Sequence, residues 1–445
     1  MNTARRLTRL SLPLLVGGVV SCGDAGGPSS DGASFELIQA EVFAVHCITC
    51  HTEGTSFARQ SGLVLDAGVA YDNLVDVAAR NPKANEDGLL RVAAGEPERS
   101  LLIHKLHWEP DYSPADYGSS MPLGSRSLSV GQIEFVRRWI LAGASRTGND
   151  VDPRLLGDMT RPNLEPFVPP PPPASGFQLT IDRFGVEPQF ERELFVYRRV
   201  GNAADIYINR IETVMRPNSH HFVLYSFVDG TPADVIPPYD VVRDIRNPDG
   251  SLNPINLRPM AYHLFVGGAM SERSDWQLPP GVALRLPANA SLDLNTHYVN
   301  RTEAELPGEV YTNLYTIDSA TVQHIARALN LGNFGISLPA GQRTTLTKTF
   351  PMSDTVNVFL LTSHMHEHGE RFTIKISGGS RDGEIVYETE DWDSPDVRTY
   401  DPPLVLYRGE GLTSVITYNN TTGRTITFGL TSQDEMGIIF GYFYR

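Results

Sequence analysis

Residues 355–366, TVNVFLLTSHMH, are rich in β-branched residues and place polar side chains at alternate positions near both ends. Such a period of two is typical of a β-strand with one face in a core. Similar segments separated by Gly- and Pro-rich turns occur at residues 205–214, 220–227, 282–287, 292–299, 371–377, 413–420, 426–430 and 436–445. Long amphipathic helices are almost absent here, so we predict an all-β fold of sandwich or jelly-roll type.

The stretch from residue 177 to residue 445 is long enough for two packed β domains. We place their border near Pro307, which gives domains 177–306 and 307–445. Residues 150–176, which precede them, contain the run Pro169–Pro173. Consecutive prolines favour polyproline II, so this segment is predicted to be a stiff linker.

The region 35–149 has a helical pattern instead. FELIQAEVFAVHC, from residue 35, and VGQIEFVRRWILAGA, from residue 130, both carry apolar residues at helical spacing. In the second segment Ile133, Val136, Ile140 and Leu141 are predicted to lie near one face. Short helices with long polar connections are typical of a small all-α domain that wraps a haem.

The first 22 residues have the features of an export signal. Arg5, Arg6 and Arg9 precede a short apolar run that ends in Val-Val-Ser-Cys22, a lipobox. The run is too short to span a bilayer comfortably, although a retained membrane anchor is the alternative. A diacylated Cys22 would hold the chain at a membrane surface. We therefore expect an exported bacterial lipoprotein, on the periplasmic side or the cell surface, with residues 23–34 as a flexible tether.

Charge and cysteine content narrow the function further. The chain has 37 Lys and Arg against 52 Asp and Glu, a net charge of -15, which repels phosphate backbones and excludes nucleic acid as a partner. It has three cysteines, Cys22, Cys47 and Cys50. If lipid uses the first and haem the other two, no disulfide is expected, and the fold depends on its hydrophobic cores and its metals.

The sequence Cys47-Ile48-Thr49-Cys50-His51 matches the C-x-x-C-H motif of c-type haem attachment. The two thiols add to the haem vinyl groups, and His51 ligates the iron from one side. A redox dithiol or half of a zinc site would be the alternatives, but a second C-x-x-C is missing from the sequence. One covalently bound haem c is therefore predicted.

Met121, in Gly118-Ser119-Ser120-Met121-Pro122, is the candidate sixth ligand. A thioether would raise the reduction potential and favour electron transfer over oxygen binding. His46, His104 and His107 are nearby in sequence, and the last two could instead form a bis-His site, with Met121 serving only in loop packing. Residues 35–148 resemble class I c-type cytochromes in CITCH, in the late Met-Pro and in the closing helix.

Histidines cluster in the β region, as His220-His221, as His297, and as His364, His366 and His368 in SHMHEHG. Residues two apart share a face of a strand, so His364 and His366 can chelate one metal, while Met365 between them points away. Adjacent His220 and His221 point oppositely on a regular strand, so sharing a metal requires a bulge or a strand end. With no cysteine in this region, His and Met donors favour copper.

Residues 177–445 resemble the copper type II, ascorbate-dependent monooxygenases, the peptidylglycine and dopamine β-monooxygenase family. The matching segments are SHHF at 219–222, LNTHY at 294–298, HMH at 364–366 and TSQDEM at 431–436. The resemblance implies two coppers. His220, His221 and His297 would hold the one that stores and supplies an electron, and His364, His366 and Met436 would hold the catalytic one, where dioxygen and substrate bind.

Two departures from the family bear on the substrate. Peptide-amidating members carry an Arg two residues before the first His of His-x-His, where this chain has Thr362. The polar Asn and Tyr that help to hold a peptide end correspond to Ile438 and Phe440 here. Peptide amidation is therefore not expected, and a more apolar substrate is. The family's disulfides are also absent.

Other polar residues of this region have simpler interpretations. His263 and His324 are expected to be core or surface histidines, and the family pattern does not require His368. Asp434 and Glu435 either support the metal site from behind or form a solvated turn.

Together these features predict a copper-dependent monooxygenase that uses O2 to hydroxylate a C–H bond of a small apolar substrate. Electrons would come from ascorbate, from a redox donor protein, or through the fused haem. The alternative is a non-catalytic electron-transfer or copper-holding lipoprotein. A sensor or assembly factor has no positive feature in the sequence beyond its location.

Overall fold

The structure is a computed structural model that describes residues 32–108, 117–163, 166–249, 251–269, 271–390, 392, 395–429 and 434–445. The predicted signal at 1–22, the lipidation site Cys22 and most of the tether lie outside the described residues. In the described part of the chain, no helix combines the length and the apolar character needed to cross a bilayer.

Residues 32–157 form a small helical unit with its own core. Its first helix continues through a π-helical turn, Gln39–Phe43, before reaching the C-x-x-C-H motif. The helices are α1 (Ser34–Ile38), α2 (Ala44–His46), α3 (Ser56–Ser61), α4 (Ala70–Leu74), α5 (Pro82–Glu86), α6 (Leu101–Leu106) and α7 (Val130–Leu141). Helix α7 begins at the N-cap Ser129, which forms a capping box with Gln132.

Helix α7 confirms the predicted helix and corrects its buried face. Ile133, Val136 and Ile140 are buried as predicted, but Leu141 is 55% exposed. One residue advances about 100° around a helix, which turns Leu141 away from the core. Trp139, which is fully buried, contributes to that face instead.

The predicted proline-rich linker is packed at both ends. Leu156, in its first turn, is part of the helical core. Further on, the carbonyls of Pro170 and Pro171 accept hydrogen bonds from Gln178 at 2.9 Å and Asn313 at 3.0 Å. The prolines thus lie along the first part of the β region, and the segment is not a free spacer.

The rest of the described chain is almost entirely β-sheet, as predicted, with one short helix α8 (Pro254–Leu257). The strands are β1 (Gly176–Val186), β2 (Phe190–Arg199), β3 (Ile206–Met215), β4 (Ser219–Phe227), β5 (Val242–Asp244), β6 (His263–Ala269), β7 (Arg273–Gln277), β8 (Val282–Leu286), β9 (Ser291–Asn300), β10 (Leu306–Thr316), β11 (His324–Gly332), β12 (Ser337–Leu338), β13 (Gln342–Pro351), β14 (Val356–Met365), β15 (Gly369–Ser377), β16 (Ile385–Thr389), β17 (Arg398–Leu406), β18 (Gly411–Asn420), β19 (Ile426–Thr427) and β20 (Gly437–Tyr444).

Two sandwiches share one long sheet. In the first half, a five-stranded sheet with the order β5-β2-β9-β4-β6 packs on β1, β10, β3, β7 and β8. Strand β8 then pairs in parallel with β11, and the same sheet continues through β20, β14 and β17. This continuation packs on the four-stranded sheet β13-β18-β15-β16 to form the second half.

The border between the halves lies later than the sequence suggested. Strand β10 starts at Leu306, and both of its partners, β1 and β3, belong to the first half. The pairing therefore places the border after Thr316 rather than at Pro307. Leu360 and Tyr442 of the second half also join the first core, so the halves pack closely.

Candidate metal centres

The first histidine cluster lies at the start of β4 and the end of β9. Ser219 pairs with Tyr298 and His221 pairs with His297, so the register shifts by one residue at His220. Such a bulge is the condition under which adjacent histidines can turn to one metal. The structure meets this condition, since His220, His221 and His297 each have a donor atom within 4.8 Å of the others.

Hydrogen bonds determine which ring nitrogens of the first cluster can bind a metal. Nε2 of His221 lies 3.1 Å from Oδ1 of Asn295, an atom that can only accept, so Nε2 carries the proton and Nδ1 keeps a lone pair. The amide of Asn295 is oriented by its donation to Glu193 at 3.1 Å. Nδ1 of His220 lies 3.2 Å from Nδ1 of His221. The first cluster therefore offers Nδ1 atoms to a shared ion.

Two carboxylates stand behind these histidines. Glu193 Oε1 lies 3.7 Å from His221 Nε2, and Glu191 Oε2 lies 3.6 Å from His297 Nε2. Burial opposes ionisation of Glu193, but its contact with His221 and the nearby histidine charges lower its pKa to about 2. The contact with His297 likewise lowers the pKa of Glu191. Carboxylates in such positions fix ring orientation and make the ligands more basic.

Neither glutamate was predicted from the sequence as a site residue. Their spacing in FERELF placed them on one face of a strand, but that strand meets the histidine strand only in the fold.

The second cluster lies where β14 ends. The rings of His364 and His366 meet edge-on with their centroids 5.0 Å apart. Nδ1 of His366 donates to the carbonyl of Asp434 at 3.0 Å, so Nε2 is the ring nitrogen that carries the lone pair. Burial lowers the pKa of His364 to about 3, with further contributions from the charges of His366 and of His221 in the first cluster. His364 is thus a neutral imidazole, the form that binds metals.

Glu435 links the backbone of Met436 to that of His366. Its Oε2 accepts from the backbone amides of His366 at 3.0 Å and Met436 at 3.1 Å, and its Oε1 accepts from that of His368 at 2.8 Å. Glu435 is fully buried, and burial raises its pKa to about 7 against the effect of these bonds. It therefore supports the site from behind and is not part of a solvated turn.

Apolar side chains border the second cluster. Ile438 pairs with His364 across β20 and β14, and the Phe440 ring centroid lies 6.3 Å from that of His364. Phe265 of the first half lies 6.4 Å from Phe440. Thr362 donates its hydroxyl to the carbonyl of Asp396 at 2.9 Å.

The haem-attachment motif lines a cavity of about 1360 Å³. Cys47, Cys50, His51 and Met121 all face it, and both cysteines are free thiols. Nδ1 of His51 donates to the carbonyl of Leu63 at 3.2 Å, so Nε2 remains free for an iron. This part of the sequence prediction is compatible with the geometry.

Other residues of the cavity wall also fit a haem. Leucines supply apolar surface, and Arg91 and Lys105 supply cations suited to propionates. Lys105 is buried, which lowers its pKa to about 8 although the charge of Glu272 opposes this. His46 lines the cavity as Met121 does, whereas His104 and His107 are not among the described lining residues. Neither cation was predicted from the sequence as a haem contact.

The remaining histidines have local partners. His263 is buried, lies 3.0 Å from the carboxylate of Asp293 and stacks on Tyr225. His324 is partly exposed, and its Nδ1 donates to the carbonyl of Arg445 at 2.9 Å. Both contacts match the simpler interpretation given above.

His368 and Met365 flank the second cluster without joining it. Strand β14 ends at Met365, so the shared face that could have included His368 does not extend that far. The ring of His368 lies 3.7 Å from Glu367. Met365 is fully buried in the core of the second half, on the side away from the histidines.

No protein-family model and no curated protein matches the chain. Among solved structures, it shows a low similarity to the STIV MCP, with 7% identity and a TM-score of 0.27 over 60% of this chain and 96% of that one. A peptide-N(4)-(N-acetyl-β-D-glucosaminyl) asparagine amidase gives 9% identity and a TM-score of 0.25 over 59% of this chain and 96% of that one. Neither likeness is close enough to indicate a function.

Proposed function

We propose that the chain is an exported, lipid-anchored copper-dependent monooxygenase that carries a haem c. The observation that supports this best is the pair of imidazole clusters, His220/His221/His297 and His364/His366. In each, an oxygen acceptor binds the protonated ring nitrogen of a histidine, so the other ring nitrogen carries the lone pair. The region holds no cysteine, and Met436 adds a thioether, a donor set that favours copper.

Copper bound at the second cluster would supply O2 activation for hydroxylation of a C–H bond, and copper at the first would supply an electron. The protein's own contribution is positional. Asn295 and Glu193 hold His221, Glu191 holds His297, and Glu435 holds the backbone of His366 next to that of Met436.

The surroundings of the second cluster support a small apolar substrate. Ile438, Phe440 and Phe265 exclude water from the space beside His364. Thr362 already donates its hydroxyl to a backbone carbonyl and offers no positive charge to a carboxylate. A hydrocarbon-like group therefore suits this site better than a peptide terminus.

The helical unit would hold the haem through Cys47, Cys50 and His51, with Met121 as sixth ligand. Both thiols, His51 and Met121 face one cavity, and Arg91 and Lys105 lie on its wall. Electrons for hydroxylation would come from ascorbate or a redox donor protein, directly or through this haem.

The first experiment is the copper-to-haem ratio of protein expressed with a c-type haem maturation system and supplied with copper. We expect two coppers per haem, one fewer in His297→Ala and one fewer in His364→Ala, with His324→Ala as the matched control that keeps both. A haem-loaded protein that stays free of copper would contradict the proposal.

Product assays distinguish an enzyme from a carrier. Copper-loaded protein should convert a member of a panel of small apolar compounds in an O2-dependent reaction with ascorbate. A protein that holds both coppers and the haem but never forms product with any reductant would be an electron-transfer or copper-holding lipoprotein.

A further inference from the structure

The haem-attachment cavity and the first histidine cluster share a wall. The cavity that holds Cys47, Cys50 and His51 is also lined by residues of the first β half, among them His220 and Arg301, and by residues of the second half, among them Leu360 and Glu390. His220 is itself a member of the first cluster. The His220 side chain therefore lines the cavity and also belongs to the first cluster.

Direct contacts hold the two units together at this point. The Phe57 ring of α3 meets the His220 ring edge-on, with the centroids 6.2 Å apart. Close by, the backbone amide of Arg301 donates to the carbonyl of Gly124 at 2.6 Å. Gly124 has a φ of +72°, and a Cβ there would lie 2.8 Å from Val299, so the close approach requires glycine.

The Arg301 side chain extends the contact to the metal ligands. Arg301 lines the same cavity as Cys50, and its Nη2 lies 2.9 Å from Oε1 of Glu191. Oε2 of the same glutamate lies 3.6 Å from Nε2 of His297. A residue of the cavity wall is therefore connected to the first cluster through Glu191.

The helical unit also contacts the second half. Arg80 forms an ion pair with Glu390 at 3.0 Å, with exposure similar to that of the Arg301–Glu191 pair. His364, His366 and Met436 are not among the described residues of the shared cavity.

We propose that Phe57 and Arg301 are positioning residues that hold the haem-attachment loop against the first cluster and make that cluster the direct electron acceptor of the helical unit. This rests on the proposed function for the identity of the metals. Cys47, Cys50 and His51 would hold a ferrous haem that supplies one electron and becomes ferric, and His220, His221 and His297 would hold the Cu(II) that accepts it and becomes Cu(I). No atom or proton is transferred, and ascorbate or a donor protein re-reduces the iron.

The test follows the haem without oxygen. In the fully oxidised, copper-loaded protein, a photoexcited flavin reduces the haem in a flash, and the haem absorbance then reports its reoxidation. We expect a phase whose rate is independent of protein concentration, retained in His364→Ala and lost in His297→Ala. The opposite pattern would overturn the assignment of the acceptor.

Variants at the contact test the positioning role. Arg301→Gln should slow this phase about fivefold, the effect of losing a partly exposed ion pair worth about 1 kcal/mol, and Arg301→Lys should restore most of the rate. Phe57→Leu should also slow it, whereas Phe57→Tyr keeps the ring and the rate. Copper content and haem midpoint potential should not change in these variants, which separates positioning from loss of a cofactor.

Glu390→Gln is the matched control, since it removes the ion pair with the second half, and it should leave the rate unchanged. A slower phase in Glu390→Gln with a normal one in Arg301→Gln would overturn the proposal. A protein that binds both metals and hydroxylates with ascorbate, but whose haem is not reoxidised without O2, would overturn the docking role and leave the proposed function standing. A chain that binds no copper overturns both.

Discussion

His221 and His297 are directly paired residues of β4 and β9, and their ring centroids lie 5.3 Å apart. The pairing is antiparallel, so both side chains leave the same face of the sheet. His220 joins them because the bulge adds one residue to β4. The backbone of two strands therefore sets the positions of the three histidines of the first cluster. The side chains behind these histidines determine the orientation and basicity of their rings.

Asn295→Ala should weaken copper at the first cluster. The substitution removes the acceptor that fixes the protonated Nε2 of His221, so the ring loses its orientation. Loss of such an outer partner costs about 10- to 100-fold in metal affinity. Competition with a chromogenic Cu(I) chelator measures this in a His364→Ala background, where only the first site is filled.

Asn313→Ala is the control for that experiment. Asn313 is equally buried on a neighbouring sheet, but it bonds the proline segment and Glu212 instead of a histidine. An equal loss of affinity in both variants would mean that general destabilisation is responsible and that Asn295 has no special role.

Met436→Ala should abolish O2-dependent product formation, by at least about 100-fold, more than loss of an outer partner costs. His364 and His366 remain, so most copper should still bind. Met365→Leu serves as the control, because Met365 is a buried core methionine one residue from both histidines. Normal turnover in Met436→Ala would show that the thioether takes no part in the chemistry.

Helical spacing predicted the segments that contain α1, α2 and α7, and period-two patterns predicted nine of the twenty described strands. They also placed His364 and Met365 on opposite faces, since alternation along a strand is a local property. The motif of Cys47, Cys50 and His51 could also be recognised, because its residues are contiguous in sequence. In the structure all three line one cavity.

Non-local features could not be predicted in the same way. The partnership of Glu191 with His297 depends on how β2 pairs with β9, far away in sequence. The adjacent histidines showed that a shared metal would require a bulge or a strand end, but the position of the bulge could not be predicted from the sequence. The contact of Phe57 with His220 depends on how the helical unit docks on the first β half. The length of the linker limits the distance between the two but does not determine their relative orientation.

The metal-free protein should lose stability as the pH falls below about 6.5. Burial and nearby histidine charges lower the pKa of His364 from 6.5 to about 3, so between these values the unfolded chain binds a proton that the folded chain does not. The stabilisation is fully present above 6.5 and is lost as the pH falls toward 3, by up to about 1.4 kcal/mol per pH unit.

Urea unfolding of chelator-treated protein at about pH 7 and about pH 5 measures this dependence. The difference between the free energies of unfolding at the two pH values should be smaller in His364→Gln. His324→Gln, which changes a partly exposed histidine, should behave like the parent protein. An unchanged dependence in His364→Gln would show that other groups control the loss.

Glu435→Gln should loosen the second cluster while sparing the first. The carboxylate accepts three backbone amides, and an amide side chain offers only one oxygen, so at least one buried donor loses its partner. This costs about 1–3 kcal/mol in the free energy of unfolding. Because two of the three donors belong to His366 and Met436, copper affinity at the second cluster should fall as well.

Glu410→Gln separates the two effects of that substitution. Glu410 is also buried in the second half and accepts from the Tyr407 amide and Arg381, away from any metal ligand. It should lower stability without changing copper affinity, measured in a His297→Ala background above the pKa of about 7 that burial gives Glu435. If both variants weaken copper alike, global loosening explains the loss. If Glu435→Gln leaves the affinity unchanged, His366 and Met436 are held together by something other than this carboxylate.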